Sequence, residues 1–240
     1  MNAKEVLIKH MDIFYETEAD ERYLHYSMSM VGGIIGGCAV AVHLQFGSAQ
    51  TNNILMIIMA VVGSDLFEVL LRVGALAIYI GGLVSSTIIR KKCKGDLRGA
   101  VIGGELIMIL LLGILPSPSN HFIALYPFFL ISSVQWSFFA GVKNYNCSSI
   151  FATNNLRVCV TELTEYFCSG ESHHLSKSRF YFYSLFWFFA GVTSAALLAA
   201  VFSGRSILIG ILPLGFALEK VFSIKKDTIK KCQENIKINL

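Results

Sequence analysis

The chain alternates between long apolar stretches and short polar connections. A helix needs about 20 apolar residues to cross a bilayer. The apolar stretches predict membrane-spanning helices near residues 24–46, 69–89, 99–116, 122–142, 181–203 and 206–224. A shorter run, Ile54 to Val62, predicts either a re-entrant half-helix or an extension of a long helix at the interface. The pattern is that of an all-α, polytopic membrane protein.

One polar tripeptide interrupts this pattern twice. Thr51-Asn52-Asn53 follows the first predicted span, and Thr153-Asn154-Asn155 follows the fourth, 102 residues later. Three spans in each half would give the two copies opposite orientations in the membrane. We therefore predict about six transmembrane helices in a 3+3 inverted repeat, an arrangement best attested in transporters. Broken or re-entrant helices would then follow Thr51 and Thr153.

The predicted spans and charges divide the chain into consecutive segments. These are a cytoplasmic amphipathic N-terminal segment (1–22), a first three-helix repeat (23–116), a second three-helix repeat (117–224) and a basic cytoplasmic tail (225–240). The tail is expected to attract anionic lipids.

Composition and charge placement support a membrane location. The chain is 54% hydrophobic and 15% charged, whereas soluble domains carry about a quarter charged residues. With the N-terminus in the cytoplasm, 18 of the 20 Lys and Arg residues lie inside and only Arg72 and Arg205 lie outside. This bias predicts cytoplasmic termini and a bacterial cytoplasmic (inner) membrane protein. The aromatic residues lie within apolar runs, so we expect no nucleic-acid partner.

The tripeptides allow two interpretations. Asn and Thr side chains cap helix starts, so each could be an N-cap at an interface turn. Alternatively, both could break discontinuous helices whose N-termini present free N–H groups to a small polar or anionic substrate. The candidate substrate-binding residues are Thr51, Asn52, Asn53, Thr153, Asn154, Asn155, Gln135 and His43.

Several other polar residues lie within predicted spans. Glu105 lies about two turns inside span three, where a carboxylate either marks an ion or proton pathway or reaches the cytoplasmic face to pair with Arg98 or Arg90. Gln135 lies in the middle of span four and His43 near the outer end of span one. Each could line a polar path or provide an interhelical hydrogen bond.

Catalytic and metal-binding patterns are weak. The segment containing Cys159, Glu162, Glu165, Cys168, His173 and His174 fits no known metal-ligand spacing, so it predicts a solvated connector. No Ser-His, Cys-His or Asp-Asp arrangement has a credible catalytic spacing. We therefore expect no enzyme activity, no metal and no cofactor.

Small residues at helical spacing predict close helix packing. Span one carries Gly32-x-x-x-Gly36 and Gly33-x-x-x-Gly37, and spans two and five carry Gly81-x-x-x-Ser85 and Gly191-x-x-x-Ala195. Such faces let helices approach closely within a monomer or across a homodimer, and both options stay open. Pro213 is expected in the middle of span six.

The chain resembles the YoaK-like family of uncharacterised bacterial six-helix membrane proteins. That family carries Thr-Gly-Asn after its first span and Thr-Gly-Thr-Leu after its fourth, where this chain has Thr51-Asn52-Asn53 and Thr153-Asn154-Asn155-Leu156. Of the family's Gly-x-Gln-Asn only Gln135 is kept, and the family's acidic residue in the first span would fall near Gly36. The resemblance implies the fold and the place of the site.

Together these features predict a small-molecule or ion transporter or channel. Its site would lie between the inverted repeats, with Glu105 as the proton- or ion-coupling residue. The alternative is a non-transporting membrane scaffold, or a lipid- or ligand-sensing protein, that assists a partner complex.

Overall fold

The computed structural model is built almost entirely of helices. It describes the backbone of residues 3–46, 50–93, 95–116 and 120–238. It describes the side chains of residues 18–46, 50–93, 95–116, 120 and 122–229. The α-helices are α1 (Ala3–His43), α2 (Gln50–Val62), α3 (Leu66–Lys92), α4 (Arg98–Ile114), α5 (His121–Phe138), α6 (Ala152–Ser169), α7 (Ser172–Phe202) and α8 (Ile211–Ile238). A 3-10 helix (Ser203–Gly210) joins α7 to α8, and the short strands β1 (Gly141–Val142) and β2 (Tyr145–Asn146) form a hairpin.

Long apolar helices confirm the membrane-protein class. Within the described residues, three segments are long and apolar enough to cross a membrane: Glu18–His43, Leu66–Lys92 and Ser172–Ile229. Gln50–Val62 and Phe122–Phe138 are apolar helices of shorter length. The all-helical fold is thus confirmed, while the six-span repeat stays a prediction.

The N-terminal segment and the first predicted span form one helix. The expected boundary at residue 22 is not a break, because α1 runs without interruption from Ala3 to His43. Likewise, α8 continues from the last predicted span into the basic tail. Both helices therefore continue past the boundaries expected from the sequence.

Glycines bring α1 and α7 into close contact. A Cβ on Gly33 would overlap the carbonyl oxygen of Phe188, and a Cβ on Gly191 would overlap that of Met30. A Cβ on Gly37 would lie 2.8 Å from the carbonyl oxygen of Val192. These glycine faces thus serve packing within one chain.

The glycine face predicted on span two is shifted by one residue. Gly81 is exposed, and nothing lies within 4 Å of a Cβ built on it. The neighbouring Gly82 is buried, and its Cβ would overlap the hydroxyl of Ser133 on α5. The packing of α3 on α5 therefore uses the other face of the Gly-Gly pair.

The connection between α5 and α6 folds back into the bundle. Helix α5 ends at Phe138, four residues before the predicted end of span four. After the β-hairpin, Cys147, Ser149 and Ile150 are buried. Lys143 has a φ of 49°, as the tight hairpin turn requires.

The 3-10 helix changes the expected position of Pro213. Because α8 begins at Ile211, this proline is the third residue of its helix and not in the middle of a span. The first helical turn has no partners for its N–H groups, so a proline there costs little. Ser203, which begins the 3-10 helix, has a φ of 50°.

Candidate functional site

A cavity lies between α1, α4, α5 and the 3-10 helix. Its volume is about 300 Å³. The lining residues are mostly apolar: Cys38, His43, Met108, Leu111, Leu112, Leu115, Pro116, Ala124, Pro127, Phe128 and Gly204. Apolar walls with a few polar groups are typical of small-molecule sites.

His43 is the titratable imidazole of this cavity. It lies in the last turn of α1 and is only 8% exposed. Its ring packs edge-on against Phe128 of α5, with 5.8 Å between ring centroids. The structure thus places His43 in the wall between α1 and α5, at the C-terminal end of α1.

Glu105 lies on the same face of α4, deeper in the bundle. Met108 and Leu112, which line the cavity, follow it at helical spacings of three and seven residues. A rise of 1.5 Å per residue puts Glu105 about 4.5 Å further along the axis than Met108. The side chain is 3% exposed, and neither carboxylate oxygen has a hydrogen-bond partner within the part of the chain that the structure describes.

The two arginines considered as ion-pair partners of Glu105 bind other groups. The guanidinium of Arg98 binds Glu21 of α1 and Asp96, with Nη2 2.8 Å from the carboxylate of Asp96. Arg90 donates to the carbonyl oxygen of Ser137. Glu105 is therefore a buried carboxylate without a basic partner among the described residues.

The first tripeptide lies in the opening turn of α2. Thr51 and Asn52 are exposed, whereas Asn53 is buried at 2% exposure. The Asn53 amide donates to the carbonyl oxygen of Arg72 on α3 at 3.2 Å, and no described residue hydrogen-bonds its Oδ1. Asn53 thus fastens the start of α2 to the second turn of α3.

The second tripeptide shows the same burial pattern with different partners. Thr153 and Asn154 are exposed and Asn155 is 3% exposed. The Asn155 amide accepts from the N–H of Ser148 at 3.2 Å and donates to its carbonyl oxygen at 2.6 Å. The N-cap of α6 is Phe151, without a side-chain capping bond. Asn155 therefore locks the inward-folded loop rather than capping the helix.

Gln135 links three parts of the bundle. It is fully buried on α5 and donates to the carbonyl oxygen of Met28 on α1 at 2.7 Å and to the Ser149 hydroxyl at 3.2 Å. Its Oε1 has no hydrogen-bond partner in the described ranges. The two donated bonds match an interhelical hydrogen-bonding role, and neither Gln135 nor the tripeptides line the cavity beside His43.

Sequence reasoning missed the buried Arg72. It is 2% exposed, forms an ion pair with Glu68 one turn earlier at 2.6 Å, and stacks on the ring of Phe122 at 4.3 Å. Its Nη1 lacks a partner. The sequence signal was an arginine inside a predicted span with a glutamate four residues before it.

The two cysteines of the connector segment lie in different environments. Cys159 is buried and contacts the Ser178 hydroxyl at 3.6 Å, whereas Cys168 is exposed. Glu162 faces His174 and Lys177 instead, at 2.7 and 2.6 Å. Partial burial raises the pKa of Glu162, but the hydrogen bonds from His174 and Lys177 outweigh it and hold the pKa below its ordinary value.

Comparison with known proteins gives a family without an assigned function. A family model described as protein of unknown function (DUF1275) matches residues 24–218. No curated protein and no solved structure matches the chain. An uncharacterised family was expected, and the finer YoaK-like assignment stays a prediction.

Proposed function

Because this chain belongs to the DUF1275 family, whose function is unknown, we propose a function from the site itself. The protein is a transporter or channel for a small molecule or ion in the bacterial cytoplasmic membrane. Its cavity between α1, α4 and α5 is one end of the path, and Glu105 couples movement along that path to a proton or cation. Both termini lie in the cytoplasm.

The observation that carries this proposal is the unpartnered Glu105. A charged side chain in the middle of a membrane helix costs about 2.5–3.5 kcal/mol on insertion scales, so such residues usually face a functional interior. Glu105 is buried, has no hydrogen-bond partner among the side chains and backbone groups described, and lies one turn below a cavity that contains His43. Gain or loss of a proton or cation there would change the energy of the whole bundle.

The helix pairings support an inverted repeat. Helix α1 packs on α7 and α5 packs on α3, while α2 packs on α3 and α6 packs on α7. If α1 to α4 correspond to α5 to α8, each of these pairs has its counterpart in the other half. The two halves would then move against each other, as alternating access requires.

The starts of α2 and α6 support the re-entrant part of the proposal. Asn53 contacts α3 six residues after that helix begins, about 9 Å along its axis. Cys159 of α6 contacts Ser178, which is also six residues after the start of α7. Helix α6 begins seven residues before Cys159. Both helix N-termini would thus lie below the membrane surface, where their N–H groups favour a polar or anionic substrate.

Proteoliposomes test the proposal. Vesicles loaded with a pH-sensitive dye would receive outward gradients of K⁺, Na⁺, chloride, acetate and phosphate in turn. We expect at least one gradient to drive proton or ion flux above that of protein-free vesicles, and Glu105→Gln to lower this flux at least tenfold. Glu219→Gln is the matched control, because Glu219 is a 66% exposed carboxylate on α8.

Two outcomes would contradict the transporter proposal. One is wild-type flux equal to that of empty vesicles for every ion in the panel. The other is Glu105→Gln flux equal to that of wild type under a gradient that the wild type uses.

The scaffold or sensor alternative has one observation in its favour. Helix α6 exposes an apolar stripe of Leu156, Val160, Leu163 and Phe167, at spacings of four, three and four residues. A one-sided apolar stripe is typical of a helix that binds a membrane surface or a partner helix. An absence of flux, combined with lost membrane or partner binding in Val160→Glu, would favour this alternative.

A further inference from the structure

The turn between α6 and α7 gathers metal-ligating groups outside the proposed transport path. Glu171, His173 and His174 each place one ligand atom within 4.8 Å of the others. Glu171 precedes α7, and both histidines lie in its first turn. No metal was expected here from the sequence, because the Cys, Glu and His residues of this segment fit no known ligand spacing and Glu171 was not considered with them.

A carboxylate outside the group already orients the His174 ring. Nδ1 of His174 lies 2.7 Å from a carboxylate oxygen of Glu162 on α6. Such a contact fixes the ring and leaves the other ring nitrogen as a ligand, as in the second shell of many metal sites. Nδ1 of His173 lies 3.2 Å from Glu171, so these two groups already face each other. Lys177 holds the other oxygen of Glu162 at 2.6 Å, which fixes that carboxylate in turn.

The two rings lie against each other. The centroids of His173 and His174 are 3.9 Å apart, with 36° between the ring planes. The stacked rings therefore bring two imidazole ligands together at this turn.

Charge and exposure also suit a cation. The start of a helix repels positive charge, so a metal there needs negative ligands nearby. Glu171 is itself a negatively charged ligand, and the carboxylate of Glu162 adds a second negative charge next to His174. The side chains of His173 and Glu171 are 64% and 62% exposed, so they have room to close from 4.8 Å to the roughly 3.3 Å between ligands of tetrahedral zinc.

We propose that Glu171, His173 and His174 form a binding site for a divalent transition-metal ion of the zinc type, with Glu162 as the positioning residue behind His174. Water completes the coordination, because the group supplies three protein ligands. Because Glu162 lies on α6 and His174 on α7, their contact links the bound ion to both helices. This inference does not depend on transport. The site lies at the start of α7, whereas the cavity residue Gly204 lies just after the end of α7.

Zinc titration of the purified full-length protein tests the site. After treatment with a chelator and its removal, isothermal titration with Zn²⁺ at pH 7.5 should give one ion per chain. His173→Ala, His174→Ala and Glu171→Gln should each weaken binding at least tenfold. Glu162→Gln should weaken it about 10- to 100-fold, as loss of a second-shell partner does.

Matched controls separate this site from adventitious binding. Glu165→Gln removes an exposed carboxylate three residues from Glu162, and Cys168→Ser removes an exposed thiol near the turn. Both variants should bind zinc like wild type. X-ray absorption at the zinc edge should show only nitrogen and oxygen neighbours near 2.0–2.2 Å, without the sulfur neighbour near 2.3 Å that a cysteine ligand gives.

Three results would overturn the proposal. These are an absence of zinc binding by wild type, unchanged affinity in all three ligand variants, and sulfur in the zinc coordination shell. Gel filtration and thermal melts of each zinc-free variant ensure that lost affinity is not lost folding. The transport experiment shares no variant with this one, so the two proposals succeed or fail separately.

Discussion

Replacing Gly33 by alanine tests the tight packing of α1 on α7. A Cβ at this position would overlap the carbonyl oxygen of Phe188 and lie 2.9 Å from its carbonyl carbon. The obstacle is backbone, so a side-chain rotation cannot relieve it and the two helices must separate. Overpacking of this kind costs about 1–3 kcal/mol.

The matched control is Gly81→Ala in α3. Nothing lies within 4 Å of a Cβ built on Gly81, so alanine should fit there without a clash. Either substitution gains about 1 kcal/mol of helix propensity. The difference between the variants therefore isolates the clash at Gly33, and we expect it to be about 1–3 kcal/mol.

Thermal melts of the two variants give the measurement. For chains of 150–250 residues, 1 kcal/mol shifts Tm by about 2–4 °C, so Gly33→Ala should melt roughly 2–12 °C below Gly81→Ala. Tryptophan fluorescence in one detergent reports both melts, and Gly33→Leu should lower Tm further. A Gly33→Ala protein as stable as Gly81→Ala would refute the close approach of α1 and α7.

Two further predictions concern polar groups outside the cavity. Asn155→Ala should lower the free energy of unfolding by about 1–3 kcal/mol, because it leaves both backbone groups of the partly buried Ser148 without this partner. The exposed Asn154→Ala should change it by less than about 0.5 kcal/mol, and equal melting temperatures of the two variants would contradict this. At Asp96, burial raises the pKa, but hydrogen bonds and charge from Arg98 outweigh it and hold the pKa below its ordinary value of 3.8. The resulting stabilisation is present above pH 3.8 and lost as the pH falls through the lower folded-state value. Melts from pH 7 downward should show this loss in wild type and not in Asp96→Asn, with an amplitude below about 1 kcal/mol because the side chain is 35% exposed.

Apolar periodicity predicted the helices well and their ends poorly. The structure has helices at all the predicted spans, because a helix buried in lipid or protein requires a long apolar segment. It missed the continuity of α1 across residue 22, where the pattern turns polar but no glycine or proline breaks the helix. It also missed the 3-10 helix before α8, because Ser203–Gly210 is apolar enough to resemble a span start.

Single residues show where sequence reasoning reaches its limit. Glu105 could be singled out, because a charge in an apolar run is conspicuous, but its lack of partners depends on where Arg90 and Arg98 bind. The choice of Gly82 over Gly81 depends on the rotation of α3 against α5, which a Gly-Gly pair does not determine. Contacts between distant segments decide both cases.

The two tripeptides illustrate how a repeated string can keep its position without keeping its contacts. In each copy the first two residues are exposed and the third is buried within the first turn of a helix. Asn53 nevertheless binds the backbone of α3, whereas Asn155 binds the loop before its own helix. What the copies share is a buried amide that satisfies a backbone group near a helix start, and the proposed inverted repeat would create this need in both halves. The repeated Asn therefore supports the architecture, while the candidate for chemistry is Glu105, for which span six offers no counterpart.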